Sequence, residues 1–206
     1  MIVLALDTCL TACSAAVVAD GAVRAARSEP MARGHQERIA VLVQEILAEA
    51  GVAPAALGRI GVTIGPGSFT GLRVGLAFAK GLGAALDRPV IGVGVLEALA
   101  FEIKPPAAAV IDARRDQLYL QTFTAAGPSH PAAVAPDAAR AAIAGLGEGV
   151  TIVGPGAGLF NDMPGAHVAP REAPDPVAVA RLAAARAPAP PRPLYLRAPD
   201  ARLPAA

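Results

Sequence analysis

The chain has 206 residues, 18 Lys and Arg against 17 Asp and Glu for a formal net charge of +1, and an aromatic fraction of only 3% with no Trp. That length suffices for one large domain or two small lobes with an ample core, packed with Ala, Val, Leu and Ile rather than rings. A charge so near zero supplies no basic field and argues against tight independent binding of nucleic acid, while two cysteines, Cys9 and Cys13, in or beside strands give no zinc cluster or disulfide framework and suit a reducing cytosol.

Ile2 to Leu6 is an apolar run ending at Asp7-Thr8, the profile of a central strand with a polar end rather than of a signal peptide. Cys13 to Ala19 reads as a second strand, Asp20-Gly21 as a tight hairpin, and Ala22 to Ser28 as the returning third strand. Asp7 at the strand end suits either positioning of a cation or phosphate or capping of the hairpin. Gly34 to Ala50 is the clearest amphipathic helix: Ile39, Leu42, Val43, Ile46, Leu47 and Ala50 share one face, Arg38, Gln44, Glu45 and Glu49 the other, with Val41 among the polar residues as a hint of a second contact. His35, with no helical His partner, reads as a surface or capping histidine rather than a ligand.

The next stretch organises the chain. Leu57 to Ile64 is a strand, Gly65-Pro66-Gly67-Ser68-Phe69-Thr70-Gly71-Leu72-Arg73 a glycine-rich turn, and Thr70 to Leu86 an apolar helix. Ser68 or Thr70 is placed to cap that helix, and its exposed N–H groups suit an anion. Arg73 and Lys80 are its only charges, and small residues recur at spacing four: Gly71, Gly75, Ala79 and Gly83. Glycines inside a helix each cost about 1 kcal/mol relative to Ala, so a row of them implies something packing very close. Either the helix is a plain core helix, or one side meets the protein's own sheet and the other a partner subunit, which is the reading taken here. At about 17 residues with two cations it is poorly suited to span a membrane.

Pro89 to Val93 continues as a strand and Val95 to Ile103 as a short helix, so the alternation predicts an α/β fold with parallel neighbours. Lys104-Pro105-Pro106 marks a lobe boundary, giving 1–103 as an N-terminal lobe and 104–206 as a C-terminal lobe with a proline-rich tail. In the second half, Ala107 to Asp112 and Leu118 to Phe123 are strands joined by a turn at Ala113-Arg114-Arg115-Asp116. Gly127 to Pro131 is loop, Pro136 to Ala144 a weak helix and Val150 to Val153 a strand. Asp175-Pro176 opens a helix to Ala187. Arg192 to Arg197 is expected to lie extended on the body and the last few residues to be mobile. No hydrolytic constellation stands out: the turn fails the Gly-x-Ser-x-Gly pattern, no Gly-Lys-Ser/Thr makes it a Walker loop, and His35, His130 and His167 are scattered.

Leu4-Ala5-Leu6-Asp7-Thr8 with Cys13-Ser14-Ala15-Ala16, Gly34-His35-Gln36-Glu37-Arg38, the stretch Gly65 to Gly75 with Ala79-Lys80-Gly81-Leu82, Ile111-Asp112-Ala113-Arg114-Arg115 and Pro193-Leu194-Tyr195-Leu196-Arg197 together resemble the bacterial TsaB (YeaZ) family, over nearly the whole chain. The resemblance implies a two-lobed α/β fold of the actin, sugar-kinase and heat-shock-ATPase (ASKHA) type. It implies a non-catalytic cytoplasmic subunit that partners and activates TsaD in threonylcarbamoyl transfer to the adenosine next to the tRNA anticodon. That subunit also forms homodimers, and the TsaE ATPase joins the assembly; tRNA is met only through the complex. The contact is implied to run through Gly34–Ala50 and Thr70–Leu86, which puts Ile39, Leu42, Val43, Ile46, Gly71, Leu72, Gly75, Ala79 and Gly83 at the interface. Asp7, Thr8, Gly65, Gly67, Ser68 and Thr70 are the candidate phosphate or nucleotide loop. No tightly bound cofactor is expected, with room for ATP or ADP at the complex interface. Where the catalytic homologue carries two metal-binding histidines, this chain has Val95 and Leu99, which cannot coordinate a metal. The other readings are a small enzyme of the same fold acting on a phosphorylated or carbamoylated substrate through Asp7 and the Gly65–Thr70 turn, and, disfavoured, a glycoprotease-like hydrolase.

Overall fold

The computed structural model describes residues 1–197. β1 (Ile2–Asp7) is apolar on both faces: Leu4 and Leu6 enter one core cluster, Val3 and Ala5 another. That pattern belongs to a strand covered on both sides. β2 (Ala12–Ala19) and β3 (Ala22–Pro30) follow antiparallel, turning where Asp20 and Gly21 both take positive φ, 51° and 82°, the geometry that Asp-Gly favours. α1 (His35–Glu49), β4 (Arg59–Thr63), α2 (Phe69–Leu86) and β5 (Val90–Val93) complete a five-stranded sheet of order β3-β2-β1-β4-β5, with β1, β4 and β5 parallel. α1 and α2 pack side by side, α1 on β2 and β3 and α2 on β4 and β1.

α3 (Val95–Leu99) is shorter than the expected helix to Ile103, because the chain breaks from helical geometry by Glu102, at φ 68°. β6 (Ala107–Arg114) and β7 (Gln117–Thr124) form an antiparallel pair at the centre of a second sheet. Three short strands were not legible in sequence: β8 (Gly127–Pro128), β9 (Ala132–Val134) and, beyond α4 (Pro136–Ala144), β10 (Thr151–Val153) and a 3₁₀ turn (Ala157–Phe160), the strand β11 (His167–Ala169). At two or three residues each they carry no periodicity to read. The sheet runs β11-β10-β6-β7-β8, with β9 paired to β7. β6 alternates strictly: Ala108 and Val110 face a cluster with Leu120, Ile143 and Phe160, while Ala109 and Ile111 join the cluster that holds Leu4 and Leu99. One continuous core therefore crosses from the first sheet to the second by way of α3.

α5 (Pro176–Ala185) opens as its sequence foretold, with Asp175 Oδ1 accepting from Val177 N at 2.8 Å behind Pro176. Its location corrects the expected lobe of 104–206. Val179, Ala180 and Ala183 pack on the far face of the first sheet, against Val3, Ala5, Val18, Ile91 and Val93. Nothing local marks that return; it follows from the second apolar face of β1, which needs a cover. Two features seat the helix. Arg59 Nη1 donates to the Ala183 and Arg186 carbonyls at 2.9 and 2.8 Å, a cation on the helix's unsatisfied C-terminus. Gly61 leaves β4 bare where a Cβ would lie 2.7 Å from Ala183 Cβ. Gly61→Ala is expected to push α5 off the sheet and cost about 1–3 kcal/mol, read as a lower melting temperature, with Gly81→Ala on the exposed side of α2 as the control for a Cβ that meets nothing and needs no positive φ.

Candidate functional site

The glycine turn and the end of β1 are locked together. Ser68 N donates to Cys9 O at 2.7 Å, Thr8 Oγ1 donates to Gly71 O at 2.7 Å, and Ser68 Oγ caps α2 by accepting from Gly71 N at 3.2 Å. A Cβ on Gly67 or Gly71 would run into the Cys9 or Thr8 carbonyl, and one on Gly75 would lie 2.5 Å from Thr8 Oγ1. Gly83 lies as close to Val90 and Arg88, and Ala79 is fully buried. The small-residue row thus admits the protein's own β1 and β5, which corrects the expectation that it faces a partner. Ile39, Leu42, Val43, Ile46 and Leu72 are buried likewise in the protomer's core. An all-round apolar helix has two candidate inner faces, and the glycines sat on the inner one.

The six residues of the candidate phosphate loop come together in part. Asp7, Thr8, Gly65, Gly67 and Ser68 do converge, with Asp7 Oδ1 accepting from Thr63 and the Thr8 and Ser68 hydroxyls both bonded to the Gly71 backbone, while Thr70 stands exposed outside the cluster. Gly65, at φ +97°, is closed from above by the tail, with Leu194 N donating to Ile64 O at 2.7 Å. Asp7 is fully buried; Oδ1 accepts from Thr63 Oγ1 at 2.6 Å and from Cys9 N at 3.1 Å, and Oδ2 has no partner. Burial pushes its carboxyl from 3.8 up to about 6, against the pull of the Thr63 and Cys9 hydrogen bonds and of the His35 charge. Burial, then the Asp7 charge, drives the Cys9 thiol upward too, which disfavours its thiolate. His35 Nε2 sits 3.2 Å from the Ala12 carbonyl, pinning α1 to β2. Val95 and Leu99 are fully buried in the core, and among the described residues no cluster of three or more His, Cys, Asp or Glu could hold a metal.

What remains open is the outer side of the α1–α2 pair. α1 has a third face: Arg38 binds Glu29 through both oxygens at 2.6 Å and Glu45 at 2.6 Å, and Arg27 adds Glu45 and Glu49. Those pairs tie its polar side to β3, and Arg38 holds Glu29 and Glu45 below the usual carboxylate range. Between the helices lies a groove of about 480 Å³ lined by Gln36, Ile39, Phe69, Thr70, Arg73, Val74, Ala77 and Phe78. Phe69 is 46% exposed and Val41 45%, on a chain with only seven aromatic residues in total. The tail meets the same spot: Tyr195 lies 5.5 Å from the Phe69 ring, and Arg73 stacks on Phe69 while donating to the Tyr195 hydroxyl. Sequence reading missed Phe69, Ala77, Phe78 and Tyr195. The signal was the exposed aromatic one turn before Arg73, and Val41 had already hinted at a second contact on α1.

A mixed sheet whose two helices and returning helix cover opposite faces, coupled through a shared core to a second sheet, is the fold class of actin, the sugar kinases and the heat-shock ATPases. The family profile described as TsaD, tRNA N6-adenosine threonylcarbamoyltransferase, matches residues 28–149. The solved structure of YeaZ from Pseudomonas aeruginosa superposes with a TM-score of 0.73 at 31% identity, over 89% of this chain and 90% of that one. An uncharacterized protein of Mycobacterium tuberculosis is 38% identical over 97% of this chain and 93% of its own length. The tRNA threonylcarbamoyladenosine biosynthesis protein TsaB of Escherichia coli is 38% identical over 124 residues, 58% of this chain and 53% of that protein. The chain belongs to the TsaB (YeaZ) family.

The buried Asp7 generates a pH-dependent prediction. Its folded-state pKa lies above its ordinary value, so the native state binds more protons between pH 3.8 and about 6, and stability falls as pH rises through that window. Above pH 6 the buried charge costs about 3 kcal/mol. Asp7→Asn keeps the Oδ1 acceptor and removes the charge. It should stabilise the fold by about 2 kcal/mol at pH 8, after the orphaned amide is counted, and by nothing at pH 4. Denaturant melts of both proteins at the two pH values measure this; equal midpoints at pH 8 would refute it.

Proposed function

We propose that this protein is a non-catalytic partner subunit in tRNA threonylcarbamoyladenosine biosynthesis, docking through the outer α1–α2 face onto a TsaD homologue and raising its threonylcarbamoyl transfer. It works in the cytoplasm, self-associates through the same face in competition with that partner, and meets TsaE, tRNA and any ATP or ADP within the assembled complex. Family membership supports the pathway, and the TsaD profile match supports kinship with the catalytic subunit. The single observation that carries the docking role is the apolar groove of Phe69, Val74, Ala77 and Phe78, left open between α1 and α2 while their inner faces pack on the sheet. A contiguous exposed apolar face rimmed by polar groups is what a protein interface looks like before its partner arrives.

The non-catalytic part of the reading is supported by the closed glycine turn, by the aliphatic Val95 and Leu99, and by the complete burial of Asp7. No helix among the described residues is long and apolar enough to cross a membrane.

The test uses Ala77, which is exposed on the wall of the groove. Ala77→Arg should leave the melting temperature within about 1 °C and weaken binding to the cell's TsaD homologue by at least about tenfold, roughly 1.4 kcal/mol. Undiminished binding of that variant overturns the docking role. Separately, the purified protein with tRNA, ATP, threonine and bicarbonate but no partner should form no threonylcarbamoyladenosine; modification by this subunit alone, measured on digested tRNA, would show it to be an enzyme.

A further inference from the structure

We infer that Arg73 is a preorganised carboxylate receptor at the rim of the docking groove, and that the chain's own tail positions it. This rests on the docking face proposed above and specifies the chemistry of what docks there. The Arg73 guanidinium lies 3.7 Å over the Phe69 ring centroid, and its Nε donates to the Tyr195 hydroxyl at 3.2 Å. Its two terminal nitrogens have no partner among the described residues. Tyr195 is held in turn: its ring packs on Phe69 at an interplanar angle of 38°, and the preceding residue is hydrogen-bonded to Ile64 O. A guanidinium fixed by its face and by Nε presents its remaining N–H groups as a fork, the geometry that pairs with both oxygens of a carboxylate. The side-chain freedom that binding normally costs has been given up in the free protein.

Charge selects the occupant. From Phe69 to Leu86 the helix carries Arg73 and Lys80 and no carboxylate, so its complement is a partner segment whose apolar side chains enter the groove and whose Asp or Glu reaches Arg73. A second copy is the poorer match. A second copy that meets this face with its own α2 brings two more cations and no carboxylate toward Arg73, whereas a heterologous acidic partner supplies the missing charge.

Calorimetric titration of the TsaD homologue with wild type, Arg73→Ala, Arg73→Lys, Tyr195→Phe and Ala77→Arg tests this, with homodimerisation of each followed by sedimentation. Arg73→Ala should weaken heterodimer binding on the order of 10–100-fold and flatten its salt dependence, without weakening the homodimer. Arg73→Lys should recover little of the loss, since a point charge is not a fork. Tyr195→Phe, which removes only the acceptor that orients Nε, should weaken binding by about 3–10-fold. Wild-type affinity for Arg73→Ala or full rescue by Arg73→Lys overturns the receptor, and a homodimer weakened as much as the heterodimer overturns the choice of partner. If Ala77→Arg also binds as wild type, the docking face itself is at fault rather than Arg73.

Discussion

The contact between the end of β1 and the first turn of α2 is the one on which the rest of the molecule depends. Thr8 and Cys9 offer a hydroxyl and a carbonyl to Gly71 O and Ser68 N, and three glycines let the helix backbone come down onto them. A side chain at any of those glycines would lift α2 away from β1 and β4. With α2 set, its inner row is committed to the sheet and its outer row to solvent, so the same hydrogen bonds that close the glycine turn also determine which residues are offered to a partner. The closure strands Asp7 Oδ2 without a partner, a local cost that the surrounding aliphatic core tolerates.

Each of the two outer helices is a three-sided object. α1 gives one side to β2, one through Arg38 and Glu45 to β3, and one to α2 and the groove. α2 gives its glycines to β1 and β4 and its flank to α1, and presents Phe69, Arg73, Ala77 and Lys80 outward. In a chain this poor in aromatics, setting Phe69, Phe78 and Tyr195 around one surface site concentrates most of the large contact area available for binding in a single place. The core by contrast is built almost wholly of aliphatic side chains, with Phe160 its bulkiest fully buried member.

From α5 onward the chain works chiefly for the first sheet. α5 covers the far face of β1, Arg186 reaches the Gly92 carbonyl and Glu97, Leu194 caps the end of β4, and Arg197 Nη1 donates to Ala113 O at 2.9 Å on the second sheet. The tail is therefore a strap that ties the glycine turn, the aromatic site and the β6–β7 hairpin together. The expectation that residues 192–197 lie on the body matches this course, whereas the expected mobility of the last few residues lies outside the described residues.

The sequence by itself determined whatever depends on neighbours a few residues apart. The apolar run of β1, the Asp20-Gly21 hairpin, the periodicity of α1, a hydroxyl cap at Ser68 or Thr70, the Asp175 cap and the TsaB resemblance were all legible, because strand, turn and cap chemistry is written within a span of about four residues. Only the tertiary structure decided which side of α2 turns inward. Apolar residues surround that helix, so its sequence points in no single direction, and the row of glycines signals close approach without naming what approaches. It alone decided that α5 leaves the second half to cover the first sheet, and that Asp7 meets Thr63 while one oxygen goes unpaired. The pairing of Arg73 with Tyr195 across 122 residues was equally out of reach, since no local pattern encodes a contact whose two halves meet only after both sheets have closed.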